Sequence, residues 1–278
     1  MEMYFFLKVF SLYLRNAPTF AYKITYKIIY SLLFHVLKMR QKTVLTNLRW
    51  AFPDKNEEWY NNTMKQCYKF FTKEFLDFIS FPKNYSSSKI KFKNLEVLSS
   101  APAMKKGIIL VGSHYGSFDK LFYALSQEEY NLTGVAYKQN NSGADIFFKQ
   151  IRENFMEDQL YKGGDVKQLK NSLVKNNILI LLSDQDAKKK GVKAKFFGID
   201  SSTHSGAAIL SKRNKSPIIY ASITSKNNIY EVEFVKINTS GSINDIVQQY
   251  TSEIEKTIIN NPEQYFWFHK RWKSVKAY

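Results

Sequence analysis

A histidine and an aspartate in the run His114-Tyr-Gly-Ser-Phe-Asp119 can together do general-base chemistry. An imidazole takes a proton near neutral pH, and a carboxylate beside it fixes the tautomer and stabilises the imidazolium that forms. The flanking elements suit that task. Gly107-Ile-Ile-Leu-Val-Gly-Ser113 is a short apolar segment bounded by glycines, which reads as a buried strand. Lys120-Leu-Phe-Tyr-Ala-Leu-Ser126 reads as a helix with Ser117 as its N-cap. His114 is then expected at the strand's carboxyl end, Gly116 in the turn and Asp119 in the helix's first turn. There the helix dipole favours the ionised acid by about 1 kcal/mol or less. Open α/β sheets place their ligands at that edge. A serine nucleophile is excluded, because a nucleophile elbow needs Gly-x-Ser-x-Gly and Gly112-Ser-His-Tyr-Gly116 has histidine at its centre. The expected nucleophile is a substrate hydroxyl activated by His114, without a covalent enzyme intermediate.

A second carboxylate belongs to the same edge. Ile178-Leu-Ile-Leu-Leu182 is a near-continuous apolar run, as in strands buried on both faces, so Asp184 should emerge beside His114. There it can bind an acceptor hydroxyl or hold the catalytic groups by hydrogen bonds; capping the following turn is the simpler role. No further ligand with usable metal spacing joins Asp184, Asp186 and His114, and no metal is expected. Lys188-Lys-Lys-Gly-Val-Lys-Ala-Lys195 is a solvated loop or a binding site for phosphate or an acidic carrier protein.

The elements that must position these groups alternate along the chain. Strands are expected at 107–113, 132–137, 178–183, 217–223 and 229–236, and helices near 118–128, 144–155, 165–176, 204–213 and 243–260. The fold class that follows is α/β, with a mixed, mainly parallel central sheet covered by helices on both faces and an N-terminal helical extension that associates with membrane. Residues 1–42 form the expected membrane-associating segment and 43–278 the catalytic domain. Within the latter, 43–88 is a helical lead-in and 89–278 the α/β core, divided at the loop around Pro82 and Tyr85-Ser-Ser-Ser88. Residues 61–80 carry Met64, Cys67, Tyr68, Phe71, Phe75, Phe78 and Ile79 on one helical stripe. The single cysteine, Cys67, rules out a disulfide framework and is expected as a buried thiol.

Composition bounds the function. With 44% hydrophobic and 16% aromatic residues the chain is not disordered, and its formal charge of +17 suits anionic lipid, an acidic carrier protein or nucleic acid. Met3 to Leu14 and Ala21 to Leu37 are apolar and aromatic, but Lys8, Lys23 and Lys27 interrupt them. Neither reaches the roughly 18 uncharged residues of a spanning helix, so an interfacial helix with snorkelling lysines is the expectation. No small-residue cleavage site follows, and a removed signal peptide is not expected.

Four blocks in order carry a resemblance over roughly residues 42–273. They are Asn47-Leu-Arg-Trp-Ala-Phe-Pro53; the His114–Asp119 block; Leu182-Ser-Asp-Gln-Asp186 with Lys195-Phe-Phe-Gly198 and Thr203; and Gln264-Tyr-Phe-Trp-Phe-His-Lys-Arg-Trp-Lys273. The chain resembles the bacterial lipid A late acyltransferases, the lauroyl/myristoyl transferases of the wider lysophospholipid acyltransferase-like group. It departs from them in Phe118-Asp119, where that group often has glutamate, and in Tyr137-Lys138, where it usually has arginine after the tyrosine.

The resemblance implies an O-acyltransferase at the cytoplasmic face of a bacterial inner membrane. It would move a fatty acyl chain from acyl carrier protein or acyl-CoA to a hydroxyl of a lipid A precursor, with no cofactor. His114 is the general base and Asp119 its orienting carboxylate. Lys138, Asp184, Gln185, Phe197, Arg271 and Lys273 are the expected substrate-binding residues: Lys138 for the oxyanion, Phe197 as a wall, Arg271 for a lipid phosphate. Thr203 is expected as the N-cap of the helix that follows. The same chemistry on another glycolipid, phospholipid or amino-acid lipid is an alternative. A basic nucleic-acid-binding protein is the non-enzyme alternative, but the aromatics lie mostly on apolar faces and no nucleic-acid motif is present.

Overall fold

The computed structural model describes residues 1–99, 106–226 and 229–278. Four helices come first: α1 (Glu2–Asn16), α2 (Thr19–Ser31), α3 (Gln41–Ala51) and α4 (Glu57–Ile79). The expected helix over 61–80 starts earlier, where Asn56 accepts the Trp59 N–H as N-cap. Then follow β1 (Lys89–Lys93), α5 (Glu96–Ser99), β2 (Ile108–Gly112), α6 (Phe118–Gln127), β3 (Leu132–Ala136), α7 (Ser142–Arg152), β4 (Asp158–Tyr161), α8 (Val166–Val174) and β5 (Ile178–Leu182). The chain continues through β6 (Val192–Phe196), β7 (Ile199–Thr203), α9 (Gly206–Asn214), β8 (Ile218–Lys226), β9 (Ile229–Ile237) and α10 (Ile243–Asn260).

Seven strands form one sheet in the order β1-β9-β8-β2-β5-β3-β4, and β6 with β7 makes a separate hairpin. All neighbours in the main sheet run parallel except β8 and β9. This is the mixed, mainly parallel α/β architecture that the alternation of elements predicts. β2 is buried along its whole length because strands flank it and helices cover both faces, which is why its sequence is apolar throughout.

Three features depart from expectation. β1 and β4, at the two sheet edges, were not anticipated, and the lysine-rich loop and Phe-Phe-Gly segment fold together as the β6–β7 hairpin. Phe197 (φ 52) and Gly198 (φ 70) are its two-residue turn, both left-handed as a type I′ turn requires. Thr203 closes β7, and Ser205 takes the N-cap position of α9.

The N-terminal helices lean on the core by one side only. Leu7 and Leu14 of α1 are buried, and Ser11 Oγ donates to the Ile79 carbonyl. No residue of α2 is fully buried. No helix among the described residues is long and apolar enough to cross a membrane.

Candidate active site

The register of two neighbouring strands builds the site. Gly112 of β2 pairs with Leu182 of β5, and the chain continues two residues beyond each to His114 and Asp184. Parallel strands leave the sheet in the same direction, so equal overhangs bring the two side chains together. His114 Nδ1 lies 2.9 Å from Asp184 Oδ1. Asp184 is almost wholly enclosed, whereas the imidazole keeps 27% of its surface open.

Burial alone would lower the basicity of His114. The Asp184 charge and hydrogen bond, helped by the Asp119 charge, overcome that and raise its pKa above the ordinary 6.5. Burial likewise pulls the Asp184 carboxyl up, but His114 and backbone N–H groups hold it below the ordinary carboxylate range. An ionised Asp184 accepts from Nδ1–H, and that fixes the tautomer: Nε2 carries the free lone pair. Gln185 Nε2 lies beside the same Nδ1 at 3.5 Å, a long contact. Phe118 meets the imidazole edge-on at 5.5 Å, and Phe266 tilts over it at 6.1 Å.

The turn after β2 admits only glycine at its apex. Gly116 has φ 59, and a Cβ there would sit 1.7 Å from the Ile223 carbonyl oxygen. Ser117 holds the N-cap position of α6, but its hydroxyl makes no cap bond and is buried without a partner among the described residues.

Asp119 occupies the first turn of α6 as expected, half-buried, but no hydrogen bond joins it to His114 among the described residues. Burial raises its carboxyl to about 7, against the lowering pull of Arg152 and His114. The carboxylate in direct contact with the histidine is Asp184. Next to Asp119, Lys120 is enclosed and anchors the turn: its Nζ lies 3.0 Å from Glu74, 2.9 Å from Asp77 and 3.1 Å from the Tyr230 hydroxyl. Tyr22 of α2 donates to the same Asp77 at 2.5 Å.

The C-terminal segment braces the His114 turn from the other side. Gly116 N–H donates to the Gln264 carbonyl at 2.8 Å, and Phe266 N–H donates to the His114 carbonyl at 2.9 Å. Asn47 of α3 binds the carbonyls of Trp267 and His269, at 2.7 and 2.8 Å. Asp186 accepts from the Ser274 hydroxyl and backbone N–H. Motifs scattered through the chain thus hold one another in place.

Several expected substrate contacts fall elsewhere. Arg271 is 1% exposed, and its guanidinium binds the Ser202 carbonyl, Ser201 Oγ and Thr203 Oγ1 while stacking on Phe196. It is closed off from any lipid phosphate and clamps β7 to the C-terminal segment. Phe197 packs on Phe52, Phe196 and Trp267 instead of walling the His114 site. Lys138 is exposed beyond β3, and its charge acts on Asp145. Lys273 is exposed near the C-terminus. Cys67 is buried, its thiol pushed up by burial and pointed at the Tyr265 carbonyl.

Sequence reasoning missed Lys162 and Arg152, and it gives His204 no role because no partner pattern surrounds it. Lys162 follows β4, and its charge weighs on both His114 and His204. Arg152 of α7 exerts the largest opposing charge effect on Asp119, and its Nη2 is buried without a partner among the described residues. No spacing pattern ties these residues to His114; the strand order does.

No curated protein matches the chain significantly. The sequence profile of the bacterial lipid A biosynthesis acyltransferase family, by contrast, matches residues 2–274, nearly the whole chain, and with a histidine–carboxylate pair at the carboxyl edge of its sheet this protein belongs to that family.

Proposed function

We propose that this acyltransferase of lipid A biosynthesis moves a fatty acyl chain from a thioester, acyl carrier protein or acyl-CoA, to a hydroxyl of a lipid A precursor, with His114 as general base. The 2.9 Å contact between His114 Nδ1 and Asp184 is the observation that carries this reading. It leaves Nε2 to take the hydroxyl proton as the oxygen attacks the thioester carbonyl. The tetrahedral intermediate then expels the thiolate, and His114 returns the proton to the sulfur. Asp184 orients the ring and balances the imidazolium through direct contact. Asp119, when ionised, adds negative potential at the ring without hydrogen-bonding it, an electrostatic role. No cofactor enters, because the thioester supplies the activation.

Access from a lipid surface fits the N-terminal helices. Phe5, Phe6 and Val9 of α1 and Phe20, Ile24 and Ile28 of α2 are exposed, with Lys8, Lys23 and Lys27 interleaved. Such a face lies in the headgroup region with its lysines reaching outward. We place the enzyme at the cytoplasmic side of the inner membrane, where thioester donors are available.

The test is transfer by the purified protein from charged carrier protein or acyl-CoA to a lipid A precursor, read by product mass. Wild type should add one acyl chain, and His114→Ala should lose about 10²–10⁴ in rate while staying folded. Unchanged transfer by His114→Ala would refute the mechanism. Product on a different lipid would move the acceptor and leave the chemistry standing.

A further inference from the structure

We infer that the buried Tyr265 hydroxyl donates to Oδ2 of Asp184 and so keeps Oδ1 aimed at His114. Tyr265 is then a positioning residue of the general base, which rests on the acyl-transfer reading above. Two groups at one place lack good partners. Asp184 Oδ1 meets His114 Nδ1, but Oδ2 is buried and has no hydrogen-bond partner among the described residues. Tyr265 is enclosed too, at 2% exposure, and its hydroxyl makes a long contact, 3.5 Å, to the carbonyl oxygen of Asp184 itself. A buried phenol normally finds an acceptor, and a buried ionised oxygen left without a donor is costly. Here the acceptor without a donor and the donor without a short acceptor belong to one pair of residues. Burial and the Asp184 charge hold the phenol well above its ordinary 10.0, so it keeps a proton to donate.

The backbone brings the phenol there. Tyr265 is extended (φ −96, ψ 143) and bridges Tyr115 in antiparallel fashion, with Gln264 and Phe266 bonded to the turn on either side. Neighbouring side chains of an extended segment point to opposite sides. Phe266 tilts over the imidazole, while Tyr265 enters the interior, where Trp267 meets its ring edge-on at 4.7 Å and Phe196 lies at 6.3 Å. The packed ring holds the oxygen in place. What remains free is the hydroxyl torsion and the carboxylate's own rotation.

One bond does not hold a carboxylate. Rotation about its Cβ–Cγ bond is soft, so an acid gripped by Nδ1 alone rocks, and the imidazole it orients rocks with it. A second donor, on Oδ2, pins the plane. It also draws off part of the negative charge, which moderates how far Asp184 raises His114. The phenol keeps its proton throughout.

The experiment compares wild type, Tyr265→Phe, Asp184→Asn and the double variant for kcat, KM and the pH profile of transfer. Tyr265→Phe removes one oxygen and keeps the packed ring. Its kcat should fall about tenfold, the scale of a hydrogen bond to a charged group, with both KM values unchanged. Without the donor the carboxylate pulls harder on the imidazolium, so the acid limb should move to higher pH, opposite to its shift in Asp184→Asn. In the Asp184→Asn background Tyr265→Phe should cost little more, because its effect runs through a charge that is gone. Unchanged kcat, an unmoved limb, or the full loss repeated in that background overturns the proposal. NMR titration of His114 in wild type and Tyr265→Phe reads the same shift without turnover. A raised imidazole pKa in the variant supports the proposal, and an unmoved one overturns it. A protein that shows this shift but transfers no acyl chain as wild type counts against the acyl-transfer reading alone. Should Tyr265→Phe not fold, a crystal structure of wild type decides. A phenol oxygen about 2.5–2.7 Å from Oδ2 is expected, and a water standing between them, or a phenol turned to another acceptor, overturns the proposal.

Discussion

His114 and Asp184 come from points 70 residues apart in the chain, yet each overhangs its strand by two residues, and the parallel pairing of those strands joins them at 2.9 Å. The carboxylate nearest in sequence, Asp119, contributes field and not contact. The pH response follows from this. A base works when neutral, and His114 is raised above 6.5, so activity should fall as pH drops through that raised value. Asp184→Asn should cut the rate by about 10²–10⁴ and move the acid limb of the kcat/KM profile to lower pH. A limb that stays in place would show that Asp184 does not tune the base.

Asp119 gives the opposite sign in stability. Its folded pKa of about 7 exceeds the ordinary 3.8, so the folded state binds the proton more tightly. Its favourable contribution is complete below 3.8 and is lost as pH rises through about 7. Asp119→Asn mimics the protonated acid. The variant should resist urea better than wild type at about pH 8, with the difference closing towards about pH 4. Paired urea titrations at the two pH values check this.

Arg271 invites the expectation of a phosphate grip, and its burial predicts something else. Arg271→Met removes bonds to Ser201, Ser202 and Thr203; the Ser202 carbonyl keeps the Ala187 N–H, and the two hydroxyls keep only their long mutual contact at 3.4 Å. Thermal melting should show a loss of about 1–3 kcal/mol for each oxygen left unpaired in the interior. Any acyl transfer by the remaining folded protein should keep its KM for phosphorylated acceptor. A raised KM with unchanged melting would restore the phosphate role.

Lys120 is enclosed among Glu74, Asp77 and Tyr230. Lys120→Met takes the enclosed cation from two acids that keep only Lys73 as a charged partner, with Tyr22 and Asn84 on Asp77, and should destabilise the fold by about 1–3 kcal/mol. A compensated variant, Lys120→Met with Asp77→Asn and Glu74→Gln, should recover much of this by urea titration. No recovery would mean that the lysine stem's packing, not its charge, holds the turn.

The central strands were legible because burial on both faces demands unbroken apolar sequence, as in Ile108–Val111 and Ile178–Leu182. The edge strands were hidden for the converse reason. Lys89-Ile-Lys-Phe-Lys93 alternates charge with partial burial, and Asp158-Gln-Leu-Tyr161 is short and polar, as strands protected from edge-to-edge pairing are. His114 and the edge it occupies could be read from the sequence, as could Asp184's place there. Which acid touches the imidazole could not, because it depends on β5 lying next to β2. Missing β4 meant missing Lys162.

The pairing of Gly116 with Gln264 and of Phe266 with His114 ties the turn after β2 to the chain beyond α10. Without residues 264–266 the Gly116 N–H and the His114 carbonyl would lose these backbone partners. A substitution that shifts the Tyr265–Trp267 stretch would therefore be felt at His114, far away along the chain.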